Sequence, residues 1–204
     1  MDCSNLLNHI REWLSSGSVD AKSLVDFPWD VSVTGDCSIK AVYPKFPIGI
    51  DIVCDDRLGF LRLSITLETE TLTLEKDEKI LVYHKFLRRN TMPMVKYALT
   101  GDESIPTLIV DLSIKSLSKE EFNDALALLL AATNDSIKAL GLEEYYKERM
   151  FTQLLELVQK YVEQGWGRER LYEYLTKYAG LKEEEAEQLL RSMFETKGKP
   201  DVYI

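Results

Sequence analysis

The sequence predicts an α+β fold, an antiparallel sheet of five strands flanked by helices, followed by a C-terminal extension made only of helices. Several segments before residue 113 alternate between apolar and polar residues, which is the period of a half-buried strand. The segments between them have apolar residues at helical spacing. After Gly141 the helical spacing continues and no alternating segment is found. Together these patterns predict the order helix, three strands, helix, two strands, helix.

The residue pattern of the N-terminal third predicts one helix and three strands. Residues 4–16 have apolar residues at helical spacing, and Gly17 is placed to end this helix. The polar stretch that follows, as far as Ser38, is interpreted as a loop. Three antiparallel strands with one solvated face come next, and the segment Asp55–Gly59 has the composition of a turn. The predicted strands span residues 39–43, 48–54 and 61–67.

The residue pattern in the middle of the chain predicts the second helix, two more strands and the third helix. Helical spacing returns from about residue 74 to Asn90 and ends before Pro93. Ser118 and Glu121 form a capping box that opens the third helix, and Gly141 is placed for a left-handed cap at its end. The two strands between these helices span residues 95–99 and 107–112.

The alternation also predicts which residues form the core. One face of the second and third strands is apolar, and the third helix has an apolar stripe that can pack against it. The predicted inward residues are Ile50, Ile52, Leu63 and Ile65 on the strands, and Phe122, Leu126 and Leu129 on the helix.

The composition shift after Gly141 predicts two domains, an α+β domain over residues 1–141 and a helical extension over residues 142–204. Six of the ten tyrosines lie between residues 145 and 178. Three short helices do not need that much ring surface for themselves, so we expect them to dock on another surface. The three predicted helices span about residues 143–164, 168–178 and 182–196.

Residues 4–140 resemble the YbjN family and the wider fold of type III secretion chaperones. The resemblance rests on a helix that ends in Phe86-Leu87-Arg88-Arg89-Asn90, the strand Val95–Leu99, an acidic turn, the strand Leu108–Leu112, and Leu117-Ser118-Lys119-Glu120-Glu121-Phe122 at the start of a helix. The family pattern is roughly a helix ending in Leu-x-x-Asn, two strands around an acidic turn, and Leu-Ser-x-Glu. The chain departs from it at residues 91–94, where the family usually has Leu-Pro.

The resemblance implies a homodimeric, non-enzymatic protein that holds or modulates other proteins. In this fold the second helix and the strand after it commonly form the two-fold interface, which here implies Ile80, Tyr83, Leu87, Val95 and Tyr97. The sequence adds independent support, because this helix carries apolar residues on more than one side. Surplus apolar surface of that kind often marks an interface.

A basic segment over residues 79–96 stands out in a chain whose net charge is -9. It contains Lys85, Arg88, Arg89 and Lys96, and residues 81–100 include no acidic side chain. We interpret these four residues as a partner-binding site for an acidic protein surface or a phosphate. The alternative is a solvated helix end, at which cations complement the helix dipole.

The composition and the N-terminal residues indicate which classes of partner and which cellular location to expect. The acidic balance argues against sequence-independent binding of nucleic acid. No apolar run approaches the roughly 20 residues of a membrane helix, so no membrane is expected. Asp2 and the absence of a basic N-terminal region predict no signal peptide and a cytoplasmic protein. Asn and Gln together number nine, a scarcity typical of heat-adapted proteins.

The sequence contains no pattern of a catalytic, cofactor or metal site. Its cysteines, Cys3, Cys37 and Cys54, are sparse and odd in number, so no disulfide framework is expected and Cys54 is interpreted as a small buried hydrophobe. Acidic residues could form a carboxylate site, but two of them lie in a predicted turn, where Asp favours its own backbone. These acidic residues are Asp51, Asp55, Asp56 and Asp111.

The leading functional hypothesis is therefore a non-enzymatic, chaperone-like module that binds a protein partner, without cofactor. Two alternatives stay open from the sequence. One is a small metal- or carboxylate-dependent enzyme, and the other is a regulator that contacts nucleic acid through residues 79–96.

Overall fold

A computed structural model describes residues 2–18, 20–43, 48–67 and 69–195. The chain divides into two compact units, Met1–Tyr146 and Lys147–Ile204. The end predicted for the last helix, at residue 196, lies outside the described residues. None of the described helices is both long enough and apolar enough to cross a membrane.

The first unit contains one antiparallel sheet in the order β1-β2-β3-β4-β6-β5. Strands that follow one another along the chain are neighbours, except that β6 lies between β4 and β5. This arrangement leaves β1 and β5 at the two edges of the sheet. The strands are β1 (Asp30–Gly35), β2 (Ser38–Val42), β3 (Ile50–Asp55), β4 (Phe60–Thr66), β5 (Lys96–Thr100) and β6 (Ile105–Ser113).

The prediction of an α+β fold is confirmed, but the predicted number of five strands is wrong. The additional strand is β1, which lies in the stretch that the sequence analysis assigned to a loop. It pairs with β2 on one side only, and four of its six residues are exposed. The strand does alternate, with Val31 and Val33 between polar residues, but two apolar residues are too short a pattern to mark a strand on their own.

Three helices of the first unit have a recognisable signal at one or both ends. The helix α1 (Cys3–Ser15) begins at Asp2, whose carboxylate accepts the backbone N–H of Asn5 at 2.8 Å. The helix α2 (Lys76–Arg89) ends with two arginines in its last turn. The helix α3 (Lys119–Leu140) begins at Ser118, whose hydroxyl accepts the N–H of Glu121 at 3.0 Å, and ends at Gly141 with φ 72°. The left-handed cap predicted at Gly141 is confirmed.

The core of the first unit lies on the apolar face of the sheet. Ile50, Ile52, Leu63 and Ile65 are all fully buried, as predicted from the alternation. Ile52 pairs with Leu63 across β3 and β4, and Leu63 pairs with Val110 on β6. The helical residues Phe122, Leu126 and Leu129 belong to the same buried cluster and are also fully buried. The predicted strand register is therefore confirmed.

The second unit has a core of its own. It contains most of the helix α4 (Glu143–Glu163), followed by α5 (Arg168–Glu173), a π-helical turn (Tyr174–Tyr178) and α6 (Glu183–Glu195). Trp166 packs between helices, stacked on Tyr161 at 4.2 Å between ring centroids. The guanidinium carbon of Arg170 lies over the same indole ring, 3.7 Å from its centroid. The expected docking of these helices on another surface stays a prediction.

Candidate functional site

The helix α2 buries little of its own surface against the rest of the first unit. Phe86 is its only buried residue, and its ring meets Tyr97 of β5 edge to face at 5.4 Å between centroids. On the sides of α2 away from that contact, Ile80 is 55% exposed and Leu87 is 70% exposed. Large apolar side chains in water favour contact with another apolar surface.

An apolar groove runs between α2 and β5. Tyr83, Phe86 and Leu87 line it from the helix, and Tyr97, Ala98 and Leu99 line it from the strand. Leu99 is itself 39% exposed, so the groove continues the exposed apolar stripe of the helix. We define the α2–β5 surface as this groove together with the adjoining exposed side chains of Ile80 and Leu87.

The edge of β5 is partly blocked by the side chain of Asn90. Its Oδ1 accepts the backbone N–H of Tyr97 at 2.8 Å, and its Nδ2 donates to the carbonyl of Tyr97 at 3.2 Å. Both backbone groups of Tyr97 therefore point away from β6 and are already hydrogen-bonded. Proteins protect edge strands in this way against the addition of a further strand. A partner at the α2–β5 surface is thus expected to make contact through side chains and not by adding a strand to β5.

The five residues that the resemblance implied for an interface fall into two groups. Ile80 and Leu87 are exposed on α2, and Tyr83 is half-buried in the groove. Val95 and Tyr97 are instead 3% and 7% exposed, because their side chains point into the chain's own core. The two buried side chains support the surface from beneath and are not available to a partner.

Three of the four predicted partner-binding cations are engaged within the chain. The ammonium of Lys85 donates to the carbonyl of Ala139 at 2.6 Å, and Arg89 pairs with Asp135 at 2.6 Å. Lys96 pairs with Asp111, also at 2.6 Å. Among the described residues, the side chain of Arg88 makes no hydrogen bond or ion pair. Arg88 is therefore the one of the four whose charge is left for a partner.

The sheet face opposite the helices carries paired charges. Arg62 forms a two-point contact with Asp111, from Nε to Oδ1 at 2.7 Å and from Nη2 to Oδ2 at 3.0 Å. These hydrogen bonds from Arg62, helped by the one from Lys96, lower the pKa of Asp111, although partial burial opposes the shift. A carboxylate held ionised by two cations is suited to a structural ion pair.

The lowered pKa of Asp111 predicts a specific loss of stability in acid. A depressed carboxyl pKa contributes stability above the unfolded-state pKa of about 4, and that stability is lost as the pH falls through the folded-state pKa. We expect the difference in unfolding free energy between the wild type and Asp111→Asn to shrink as the pH falls below about 4. Urea melts across that range measure it. A constant difference would contradict the prediction, and Asp51→Asn, at an exposed pair with Lys40, is the control.

The other candidate carboxylates have separate partners. Asp51 lies 4.0 Å from Lys40, and Asp55 accepts the backbone N–H groups of Arg57 and Leu58 in the predicted turn. Asp56 accepts the N–H of Cys3 at 3.2 Å. Each carboxylate thus has a local structural partner, and the arrangement gives no support to a shared acid–base pair.

A disulfide joins Cys3 to Cys54, which the sequence analysis did not expect. The bond links the first turn of α1 to the end of β3, across 51 residues of sequence, with a Cα–Cα distance of 5.6 Å. Cys54 is buried, as expected, but it is not a free thiol; Cys37 is the cysteine that stays free. The sequence did carry a signal for this bond that was missed. Cys3 and Cys54 both lie on apolar faces, and these faces have to pack together.

Comparisons with known proteins give matches for both parts of the chain. A family model described as "Domain of unknown function (DUF8183)" matches residues 9–140, and a second model, HTH_78, described as "Domain of unknown function", matches residues 141–203. No curated protein matches the sequence. A chain in the solved structure titled "Crystal Structure of the ExsC-ExsE Complex" is similar at 12% identity and a TM-score of 0.40, over 64% of this chain and 90% of that chain. The resemblance to the YbjN family stays a prediction.

Proposed function

Since this chain belongs to the family described as domain of unknown function DUF8183, we propose a function from its own structure: it is a non-enzymatic module that binds a protein through the α2–β5 surface. The observation that carries the proposal is the exposed apolar surface of a helix that buries only Phe86. No specific observation favours either alternative function, because the candidate carboxylates do not form a shared acid–base pair and three of the four cations of the basic segment are engaged within the chain.

The distribution of exposed apolar side chains supports this location. Among the described residues, 14 large hydrophobic residues are exposed, and six of them lie between Leu72 and Leu99. The open face of the sheet exposes Val53 and Phe60, but it also carries the ion pairs of Arg62, Lys96 and Asp111. A charged, paired face is well solvated, whereas an apolar surface gains free energy when a partner covers it.

We take the partner to be a second copy of the chain, because the charges at the two ends of the surface are complementary. Thr71 binds the carbonyl of Ser104 at 2.6 Å and lies 3.4 Å from the hydroxyl of Tyr83. Tyr83, in the middle of α2, therefore lies near the β5–β6 turn, which carries the exposed pair Asp102 and Glu103. Arg88 lies further along, in the last turn of the helix, where Asn90 ties the helix end to Tyr97 of β5.

A two-fold axis near the middle of the α2–β5 surface brings these opposite ends together. It places the acidic turn of each copy beside Arg88 of the other copy, while the apolar side chains of Ile80, Leu87 and Leu99 from both copies pack together between them. Complementary charges at the rim fix the orientation of such a contact more than they add to its affinity. The blocked edge at Tyr97 favours this packing of side chains over a continuous sheet.

The substitution Leu87→Lys tests the proposal. A lysine in the last turn suits the helix and its dipole, so we expect the fold to be retained. In a two-fold contact it would bury a charged ammonium against the apolar side chains of the other copy, which costs free energy unless the charge is paired. We expect light scattering to give twice the chain mass of 23.4 kDa for the wild type at micromolar concentration and the single mass for Leu87→Lys.

The matched control is Leu58→Lys, in the turn between β3 and β4. Leu58 is 67% exposed and Leu87 is 70% exposed, so the two substitutions remove the same side chain at nearly equal exposure. Leu58→Lys should leave the dimer intact. A wild type of 23.4 kDa at all micromolar concentrations, or equal dissociation by both variants, would contradict the proposal.

A further inference from the structure

We propose that Cys3, Cys54 and Asp56 form a redox-gated site for a thiophilic divalent cation of the Zn²⁺ type, closed by the disulfide and opened by its reduction. Each residue offers one ligand atom, and these atoms all lie within 4.8 Å of one another. They come from three places in the fold: the first turn of α1, the end of β3 and the turn that follows β3.

The backbone already holds the three ligands at a spacing that suits one ion. Zinc binds sulfur at about 2.3 Å and carboxylate oxygen at about 2.1 Å, so its ligand atoms lie roughly 3.5 Å apart. The Cα–Cα distance of 5.6 Å between Cys3 and Cys54 lets the reduced sulfurs separate that far by side-chain rotation alone. The backbone of α1 and β3 can therefore stay in place when an ion replaces the disulfide.

The ligand set determines which cations fit. Two thiolates and one carboxylate favour zinc and similar soft or borderline ions over Mg²⁺ and Ca²⁺, which prefer oxygen. Three protein ligands leave a fourth tetrahedral position for water. Cys37 is not part of the cluster, although its carbonyl accepts the backbone N–H of Cys54 at 2.9 Å.

The surroundings of the cluster allow both access and retention of an ion. Cys3 and Cys54 are 1% and 4% exposed, which keeps competing water away from the sulfurs, and Asp56 is exposed at the surface, where an ion can enter. The N–H of Cys3 binds Oδ1 of Asp56 at 3.2 Å and thereby orients the carboxylate towards the sulfurs.

The gating step balances as an exchange between thiols and disulfides. A dithiol reductant donates two electrons and two protons to the Cys3–Cys54 bond and becomes a disulfide itself. Zinc then displaces the two thiol protons and binds both thiolates without changing its own oxidation state. Reoxidation of the cysteines by a disulfide oxidant releases the ion. In either state α1 stays tied to β3, by a sulfur–sulfur bond or through the ion.

Zinc counting on the full chain tests the inference. The protein is prepared with the disulfide intact or reduced by a phosphine, incubated with zinc chloride alone, desalted without oxygen and analysed for bound metal. We expect one zinc per reduced chain and none per oxidised chain. With Co²⁺ as the probe, the reduced protein should show thiolate-to-metal charge-transfer absorption, which adventitious binding by surface carboxylates cannot produce.

Two variants locate the site. Asp56→Asn keeps both cysteines and is expected to weaken zinc binding about tenfold or more, because the loss of even a supporting group costs that much. Cys37→Ser removes the free thiol and should bind zinc like the wild type. The inference is overturned by a reduced chain without zinc, by equal zinc in the two redox states, by unchanged affinity in Asp56→Asn, or by loss of binding in Cys37→Ser.

Discussion

Replacing Leu63 by alanine is expected to lower the free energy of unfolding by about 2–5 kcal/mol. Leu63 is fully buried at the centre of the sheet, between Ile52 on β3 and Val110 on β6. Its truncation removes apolar contact and leaves a cavity that the surrounding strands can only partly close. Urea denaturation followed by circular dichroism measures the change.

The control for this substitution is Val53→Ala on the neighbouring strand. Val53 pairs with Arg62 on the open face of the sheet and is 40% exposed, so its truncation should cost about 0.5 kcal/mol or less. A one-residue shift of register would exchange the two faces. A larger loss for Val53→Ala than for Leu63→Ala would therefore show that the register is wrong.

Loss of the Cys3–Cys54 disulfide is expected to be comparably costly. The bond closes a loop across 51 residues, for which the entropy of loop closure in the unfolded chain amounts to about 4 kcal/mol. We expect the double substitution of Cys3 and Cys54 by serine to lower the free energy of unfolding by about 2–4 kcal/mol. The melts are made with a chelator present, so that no metal replaces the bond.

The free cysteine supplies the comparison. Cys37→Ser leaves the disulfide in place and should change stability little, and adding a reductant to this variant should reproduce the loss seen in the double variant. If the reduced and oxidised proteins unfold at the same urea concentration, the disulfide does not constrain the chain as described.

The parts of the fold that the sequence predicts are those that bury a regular face. β3, β4 and β6 are interior strands, so the core forces alternation on them, and Ser118 and Gly141 mark the ends of α3 by cap geometry. β1 was missed because its alternation is limited to Val31 and Val33, in a stretch that was interpreted as a loop. The disulfide was missed because 51 residues separate its cysteines, and only the packing of α1 on the sheet brings them together.

The α2–β5 surface was partly predictable from the pattern of apolar residues. Apolar residues on several sides of one helix indicate surplus apolar surface, and Ile80 and Leu87 are indeed exposed. Alternation in β5 cannot say which face α2 covers, so the burial of Val95 and Tyr97 was not foreseen. The basic segment was interpreted as a partner-binding site because the sequence does not show that Arg89 pairs with Asp135, which lies 46 residues away.

Hydrogen–deuterium exchange at two protein concentrations tests most directly whether the α2–β5 surface binds a second copy. Binding slows exchange where backbone groups are covered or their opening is suppressed. Above the dissociation constant of the dimer, we predict slower exchange in α2 and β5, at residues 76–100, with β2–β4 unchanged and the effect lost in Leu87→Lys. Exchange independent of concentration, or protection confined to β2–β4, would contradict the assignment of this surface as the binding site.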